Sequence, residues 1–573
     1  MKRILLAIAL VLMVLPSQAA SPKRTARQLG LSYSLASSPS DFTRKDCLYE
    51  IRGEIDLGGG ETAIPSGCVL YFKGGAFSGG TLKGDGTRVI SSAKEIFRPG
   101  TTVYRGYLRS GSYNYVSRNK GGVILGGTWA GEDCPAAWTG LKRAWKGSCA
   151  STAINNFIVL HRDGAAVSVP KGSYDVYGKI RCGNHSVDFN GGTLRSVDFN
   201  AVEDTSLPLP QGAVPAALRS IYGLVEMTGD GCILSRLAID GGADRRNETP
   251  DRGSQCLLSL GSNRGGAVRD VTLQNAVACG ICTYKISDML FSGLRIRNVG
   301  EHGIYTHACK GELRFKDCEF FNCGSSQALF KDRGQSACIN VAGSRDSGIK
   351  GMAGLSFTLE DCVFATDGSC QVATMYADLP KAGFTRCRWQ GVNGYTVNTA
   401  LAEGIGRLVE YTFTECDNPC WSINSANTVR RLVRCTNVRN PFSDAVLLED
   451  CQVTACYGTV RNLYTGRFAS ETGNPVVCRR CTFSKDGTDI SIGNTIANPR
   501  PMVFEDCNWR FEKTSSDKSR GTAYITLQGK NGRAEFRGCN FDMDIYRLIS
   551  VQDGKVEIDG GRKSGRYELV DNK

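Results

Sequence analysis

The chain has 573 residues, with 69 Lys and Arg against 56 Asp and Glu, a formal net charge of +13, 68 glycines and 25 cysteines. With 41% hydrophobic residues it is neither a disordered nor a collagen-like chain, and nothing beyond its N-terminus reads as a membrane span. The positive balance favours acidic partners, such as uronic-acid or sulfated polysaccharides or an anionic cell surface, and no nucleic-acid-binding motif accompanies it.

Residues 1–19 read as a secretory signal peptide. Lys2 and Arg3 precede the apolar run Ile4–Leu15, a Pro16 break and the small residues Ser17 and Ala19. Cleavage after Ala19 is expected to give an exported chain, periplasmic, cell-surface or secreted. No Cys follows the apolar run, which argues against a lipid anchor. Residues 20–46 are polar and Ser-rich and are expected to form a flexible leader. Residues 47–127 are strand-rich, as an N-terminal cap or a small β-helical block. That block carries Tyr104-Arg-Gly-Tyr107-Leu-Arg109, Tyr113-Asn-Tyr115, Arg118 and Lys120, where strand alternation is expected to put Tyr and Arg on one face suited to sugars or anions. Residues 128–573 read as the main β-helix. Cys134 and Cys149 bracket a Trp- and Lys-rich excursion near its start and are the best candidates for a disulfide in an exported protein.

The remainder is dominated by a repeat: an apolar residue, two variable residues, Cys, one variable residue and usually an aromatic. The copies are centred on Cys318, Cys362, Cys387, Cys416, Cys435, Cys451, Cys481, Cys507 and Cys539, as in Phe315-Lys-Asp-Cys318-Glu-Phe320. Earlier copies put Leu237, Val271 and Leu294 at the Cys position. Val271, Leu294 and Cys318 lie 23 and 24 residues apart. A unit this short, built of period-two strands and polar corners, cannot bury its own apolar face, so copies must stack with parallel pairing. The expected fold is all-β: a right-handed parallel β-helix, a solenoid, with a strand-rich N-terminal cap region. The Cys is then an inward-facing hydrophobe, since neighbours one strand spacing apart (about 4.8 Å) exceed the usual disulfide Cβ separation of about 3.5–4.5 Å. Phe320, Phe364, Trp389, Phe483, Trp509 and Phe541 are expected in an interior stack.

Val167–Tyr174, Gly183–Leu194 and the Phe-Xaa-Asp-Cys-Xaa-Phe coils resemble secreted bacterial proteins of the pectate-lyase-like, right-handed β-helix superfamily. The resemblance spans most of residues 50–560. It implies one fold and many activities: polysaccharide lyases, glycoside hydrolases, epimerases, tailspikes and adhesins.

The chain has only four histidines. Two fall in Gly300-Glu301-His302-Gly-Ile-Tyr305-Thr-His307. Aligning coils puts His302 beside Cys279, Tyr305 beside Cys282 and His307 beside Tyr284, with Lys331 near the same column one coil later. Candidate catalytic residues are His307, Tyr305, Glu301, Asp240 and Asp244. Tyr284, Lys285, His302, Arg245 and Lys331 are candidates for substrate binding. Lyase chemistry needs a base, a cation against the uronate carboxyl and an acid for the leaving oxygen, whereas hydrolysis needs two flanking carboxylates. Gly-Glu-His302-Gly-Ile resembles the Gly-His-Gly segment of polygalacturonases, but the paired Asp-Asp and the Arg-Ile-Lys element of that family are missing. No cofactor is expected. Calcium is the one candidate, around Asp240, Asp244 and Asp251, without a calcium-loop spacing. The expected function is an exported carbohydrate-active protein that binds, and in the stronger form cleaves, an anionic polysaccharide. The alternative is a non-catalytic structural or adhesive solenoid at the cell surface.

Overall fold

The computed structural model describes residues 21–109, 112–142, 144–145, 149–176, 179–196, 223–242, 256–276, 278–324, 337–342, 354–367, 373–376, 381–391, 397–398, 409–419, 428–439, 445–455, 459–461, 476–485, 490–493, 502–511, 525–528, 533–543, 549–552, 555–559, 563–564 and 569–571. The expected signal peptide, Asp244, Arg245, Asp251 and Lys331 lie outside them. Two compact units are present. The first comprises Met1–Ala213, Leu224–Met227 and Cys232–Ile239; the second comprises Val214–Gly223, Thr228–Gly231 and Asp240–Lys573. Both are predominantly β and solenoid-like, with mostly parallel strands. Among the described residues, no helix is long and apolar enough to cross a membrane.

In the first unit the expected flexible leader is instead ordered. Ser21 caps the helix Pro22–Gln28 by accepting from the Arg24 N–H, with Pro22 in the first turn where its missing N–H costs nothing. The strand Ser32–Ala36 then pairs in parallel with Cys47–Ile51. The helix buries Ala26 against Leu48 and Val69, so a helix as well as strands forms the N-terminal cap. Parallel pairing continues through Val69–Phe72, Gly80–Ser91 and Val123–Trp129. Inside lies an aromatic cluster of Phe42, Tyr49, Phe72, Phe77, Phe97 and Trp129. The strands Thr101–Arg109 and Ser112–Lys120 form a separate antiparallel ribbon that pairs only with itself.

A second helix, Ser151–Val159, was not signalled by the sequence. Its two adjacent asparagines stand in for a strand. Asn156 accepts from the Leu125 N–H at 2.9 Å and donates to the Val123 carbonyl at 2.7 Å. Asn155 does the same for Arg181 N–H and Lys179 C=O, both at 2.8 Å. One helix thereby satisfies two strand edges that would otherwise be left open. Cys134 faces the Leu160 carbonyl, and Cys149 donates to the Ser151 hydroxyl at 3.1 Å, so the two do not meet each other. The expected bridge between them is therefore absent.

The second unit shows the coil grammar most clearly between 256 and 324. The strands Cys256–Gly261, Ile281–Tyr284, Ile304–His307 and Ala337–Ala342 stack in one sheet, with Leu258, Ile281, Ile304 and Ile339 in register. Another sheet stacks Phe315, Leu359, Phe384, Phe413, Leu432, Leu448, Cys478, Phe504 and Phe536. Stacked rings meet face to face, as in Phe384–Phe413 at 4.6 Å in this column and Phe483–Trp509 at 4.1 Å in a neighbouring sheet, and are buried. Core packing thus accounts for Phe320, Phe364, Trp389, Phe483 and Trp509; the side chain of Phe541 is outside the described set.

The residue before each repeat Cys turns the chain with a positive φ: Asp317, Asp361, Arg386, Glu415, Arg434, Asp450, Arg480, Asp506 and Gly538. The carbonyl two residues before each Cys accepts the corner N–H of the coil before, as Thr414 does from Arg386 at 2.9 Å, and the thiol adds a second, weaker donor to it. Cys416 lies 3.4 Å from the Thr414 carbonyl of its own corner and 3.5 Å from the Phe384 carbonyl of the coil before, and Cys387 and Cys435 repeat the arrangement. A thiol is small enough for the corner, apolar enough for the interior, and still a weak donor. Burial pushes the Cys387 thiol up, away from the thiolate form.

Outside that corner, in-register stacking would set like charges against each other. From Asp361 to Asp506 the corner residue instead alternates in sign: Asp361, Arg386, Glu415, Arg434, Asp450, Arg480, Asp506. Arg386 binds Asp361, Arg434 binds Glu415 and Arg480 binds Asp450, each at 2.7 Å. Each exposed pair contributes little, but the alternation removes a repulsion from every coil. At the next corner, Asn275, Asn298 and Asn322 also have positive φ, and Asn322 reaches Asn298 at 3.4 Å and Asp367 at 2.9 Å.

Two outcomes test this account. Arg434→Glu should lower the urea midpoint by about twice the shift of Arg434→Ala, because it adds two like-charge contacts, and about 0.5 M salt should recover part of the difference. An equal effect of the two variants would show that alternation does not matter. Alkylation of the native protein followed by peptide mapping should leave Cys318, Cys387, Cys416 and Cys435 unmodified, and all should react in denaturant. Rapid native labelling of these thiols would contradict their burial.

Candidate functional site

The sheet containing Ile304–His307 brings the sequence candidates together. Ile304 and Thr306 are buried, while Tyr305 and His307 are half-exposed, as period-two alternation requires. The register pairs Tyr305 with Cys282 and His307 with Tyr284. One coil later Asn340 and Ala342 stand opposite Tyr305 and His307. Lys331 precedes that strand in the chain, so Ala342 takes the register position expected for it.

On the outward face, the Tyr284 and His307 rings stack at 5.6 Å with 15° between planes. Lys285 follows in a left-handed turn with φ +55°, which carries its ammonium back to 4.9 Å from the Tyr284 ring centroid. The coil before places Gly261 opposite Tyr284, so no side chain occupies that register position. Half-exposed Tyr284 and His307 and exposed Lys285 therefore form one outward group with polar ring edges and a cation.

His302 does not belong to that face. It is 4% exposed, and burial lowers its pKa to about 3. The Ala337 N–H donates to His302 Nδ1 at 3.1 Å, so the ring proton sits on Nε2. Nε2 lies 2.8 Å from the Asn340 amide, which must therefore turn its oxygen toward it. Glu301 Oε1 is 3.6 Å from the same nitrogen, and Cys279 donates to Glu301 Oε2 at 3.8 Å. His302 is a neutral tie between coils, and its expected role as a substrate-binding residue is corrected accordingly. Tyr305 stacks on it at 5.7 Å and packs against the buried Cys256, Cys279 and Cys282.

The Gly that follows His302 has a steric cause. A Cβ on Gly303 would come within 2.4 Å of the Cys338 carbonyl, and one on Gly280 within 2.7 Å of the Gly303 carbonyl. The His-Gly likeness to polygalacturonases is thus explained by close coil stacking. Asp240 Oδ1 accepts from the Gly242 N–H at 2.9 Å and from Asn275 at 3.1 Å, which makes it part of the asparagine corner. The two described acids are engaged within the fold. Among the described residues, no group of three or more His, Cys, Asp or Glu side chains is arranged to hold a metal. The other two histidines, His161 and His185, are buried and face the Phe157 and Ala165 carbonyls.

Sequence reasoning missed Asn340 and the asparagine corner. The corner had a signal: Asn275, Asn298 and Asn322 repeat at the same 23- and 24-residue spacing as Val271, Leu294 and Cys318. Asn340 had none, because its coil is reached through an insertion that breaks the spacing.

No family model matches the chain, and no curated protein does. Among solved structures, Geobacillus virus E2 ORF18 aligns at 14% identity over 72% of this chain and 62% of that one, with a TM-score of 0.27. The Streptococcus pneumoniae surface protein and adhesin PfbA aligns at 13% identity over 73% and 92%, with a TM-score of 0.25. The catalytic unit of an alpha-1,3-glucanase from Streptomyces thermodiastaticus aligns at 12% identity over 79% and 77%, with a TM-score of 0.30. Likenesses this faint carry no functional argument.

A neutral buried His302 makes stability pH-dependent. Its pKa falls from 6.5 to about 3 on folding, so the unfolded chain binds more protons between those values. Its contribution is fully present above pH 6.5 and should decline as pH falls toward 3, by up to about 1.4 kcal/mol per pH unit. His302→Gln should flatten the fall of the urea midpoint between pH 7 and pH 4. An unchanged slope would show that His302 titrates freely in the folded state.

Proposed function

We propose that the chain is an exported, non-catalytic β-solenoid that binds a polysaccharide through Tyr284, Lys285 and His307. The observation that carries this reading is their convergence on one outward face while Glu301 and Asp240 are engaged in the fold. Sugar C–H faces pack on aromatic rings, and their hydroxyls bond to phenol and imidazole edges. The Lys285 ammonium favours an acidic sugar. Export rests on the basic and apolar N-terminal run from Lys2 to Leu15.

Cleavage is the reading this displaces. Hydrolysis needs two carboxylates free to flank a glycosidic bond, and the two described acids hold corners and coils together. Eliminative cleavage would use His307 or Tyr284 as base with Lys285 against the uronate, and it makes a different prediction from binding alone.

Calorimetric titration with polygalacturonate, alginate and dextran separates the readings. Binding should favour the two polyuronates. Tyr284→Ala should weaken it by roughly tenfold, about 1.4 kcal/mol, with no change in melting midpoint. Neither unsaturated uronate ends nor new reducing ends should accumulate. Turnover that His307→Ala abolishes would overturn the proposal in favour of a lyase, and wild-type affinity in Tyr284→Ala would remove this face from the binding site.

A further inference from the structure

One sheet of the first unit runs in the order Ser32–Ala36, Cys47–Ile51, Val69–Phe72, Gly80–Ser91, Val123–Trp129, and its two ends are finished differently. At Val123–Trp129 the Asn156 amide meets the Leu125 N–H and the Val123 carbonyl, so that edge is closed. At Ser32–Ala36, no described residue pairs along the outer side of the strand. The cap helix does not close it, because Ala26 packs over Leu48 and Val69, on the face of the sheet.

Register decides which groups this edge presents. The Ser32 N–H donates to the Asp46 carbonyl at 3.0 Å. Successive residues of a strand point their backbone groups to opposite sides. Ser32, Ser34 and Ala36 therefore face Cys47–Ile51, whereas Tyr33 and Leu35 turn their N–H and C=O to the open side. Both flanks are occupied: the Leu31 N–H donates to the Ala26 carbonyl at 2.9 Å, and the Ser37 N–H to Asp41 Oδ2 at 2.8 Å. The Leu35 carbonyl accepts from the Ser34 hydroxyl at 3.5 Å, which leaves it a second lone pair. On the outward face the Tyr33 hydroxyl donates to the buried Glu50 at 2.6 Å, and the Lys23 ammonium lies 5.3 Å from its ring centroid. That ring is fixed, while Leu35 beside it is 49% exposed. Ser32–Ala36 carries no Lys, Pro or bulge, the usual guards of an open edge.

Charge and symmetry select the occupant. No Asp, Glu, Lys or Arg occurs from Leu29 to Ser40, in a chain that is 22% charged. Two chains of net charge +13 repel, and an uncharged patch is where they can meet at least cost. The bonding pattern is also self-complementary. When two copies are turned about Ser34, Tyr33 of each stands opposite Leu35 of the other, and each such pair exchanges both N–H···O=C bonds. The same turn lays each exposed Leu35 beside a fixed Tyr33 ring.

We infer that the Ser32–Ala36 edge is a self-association surface: two copies pair antiparallel through it, about a two-fold axis at Ser34, and join their sheets into one. The contact is confined to a short strand, so the dimer is weak and concentration-dependent. It shares no residue with Tyr284, Lys285 and His307 and stands or falls separately from them.

Sedimentation velocity of the full mature chain from roughly 1 to 100 µM should show a reversible shift from monomer to dimer. Hydrogen exchange at Tyr33 and Leu35 should slow as concentration rises. Leu35→Lys should weaken association by at least roughly tenfold with no change in melting midpoint. Ile124→Lys adds the same charge at a residue 45% exposed on the strand at the other end of the sheet, and should associate like the wild type. A monomer at every concentration, or unchanged association in Leu35→Lys, would overturn the proposal. Equal loss in both variants would reduce the effect to net charge and overturn it too. Protection of Tyr33 and Leu35 that does not depend on concentration would mean that another segment of the same chain covers the edge, and would also overturn it.

Discussion

In-register parallel stacking puts every side chain next to its counterpart in the following coil, about 4.8 Å away. Each position must therefore tolerate a copy of itself, and the second unit answers this differently at each point of the coil. Flat rings stack face to face, as at Phe384 and Phe413. Thiols can stand in file because each has carbonyls to meet. Asparagines bond to asparagines, as Asn322 does to Asn298. Charges tolerate stacking only when their sign alternates, and the corner column from Asp361 to Asp506 does so.

At the corners Cys fills the space that Leu or Val fills elsewhere and adds a weak donor to carbonyls that already accept a backbone N–H. Non-glycine residues in the left-handed region carry a conformational cost. Here it is offset locally: each corner N–H bonds to a carbonyl of the next coil, the thiols add weak donors to the same carbonyls, and side-chain carboxylates or guanidinium groups pair on the outer surface. Leu237, Val271 and Leu294 occupy the equivalent position without a donor. The first unit solves a related problem with Asn155 and Asn156, whose amides reproduce the hydrogen bonding of a strand from within a helix.

The same constraint decides which polar residues remain available for binding. Residues that look like a catalytic cluster in sequence are consumed by stacking: His302 ties Ala337 and Asn340 to its own coil, Glu301 sits beside it, and Asp240 caps the asparagine corner. Alternation leaves Tyr284 and His307 facing outward, and the turn at Lys285 adds a cation. In the first unit the 101–120 ribbon departs from the coil pattern by pairing antiparallel.

The sequence by itself determined the repeat, the parallel stacking, the inward Cys and aromatic positions, and the pairing of His307 with Tyr284. Each follows from spacing and period-two alternation, which are properties of the chain read locally. It did not determine the capping helix at Pro22–Gln28, the helix at Ser151–Val159, the separate partners of Cys134 and Cys149, or the burial of His302. Those depend on which edges need partners and which coil lies above, and insertions such as the one before Ala337 hide that neighbour from any reading of spacing.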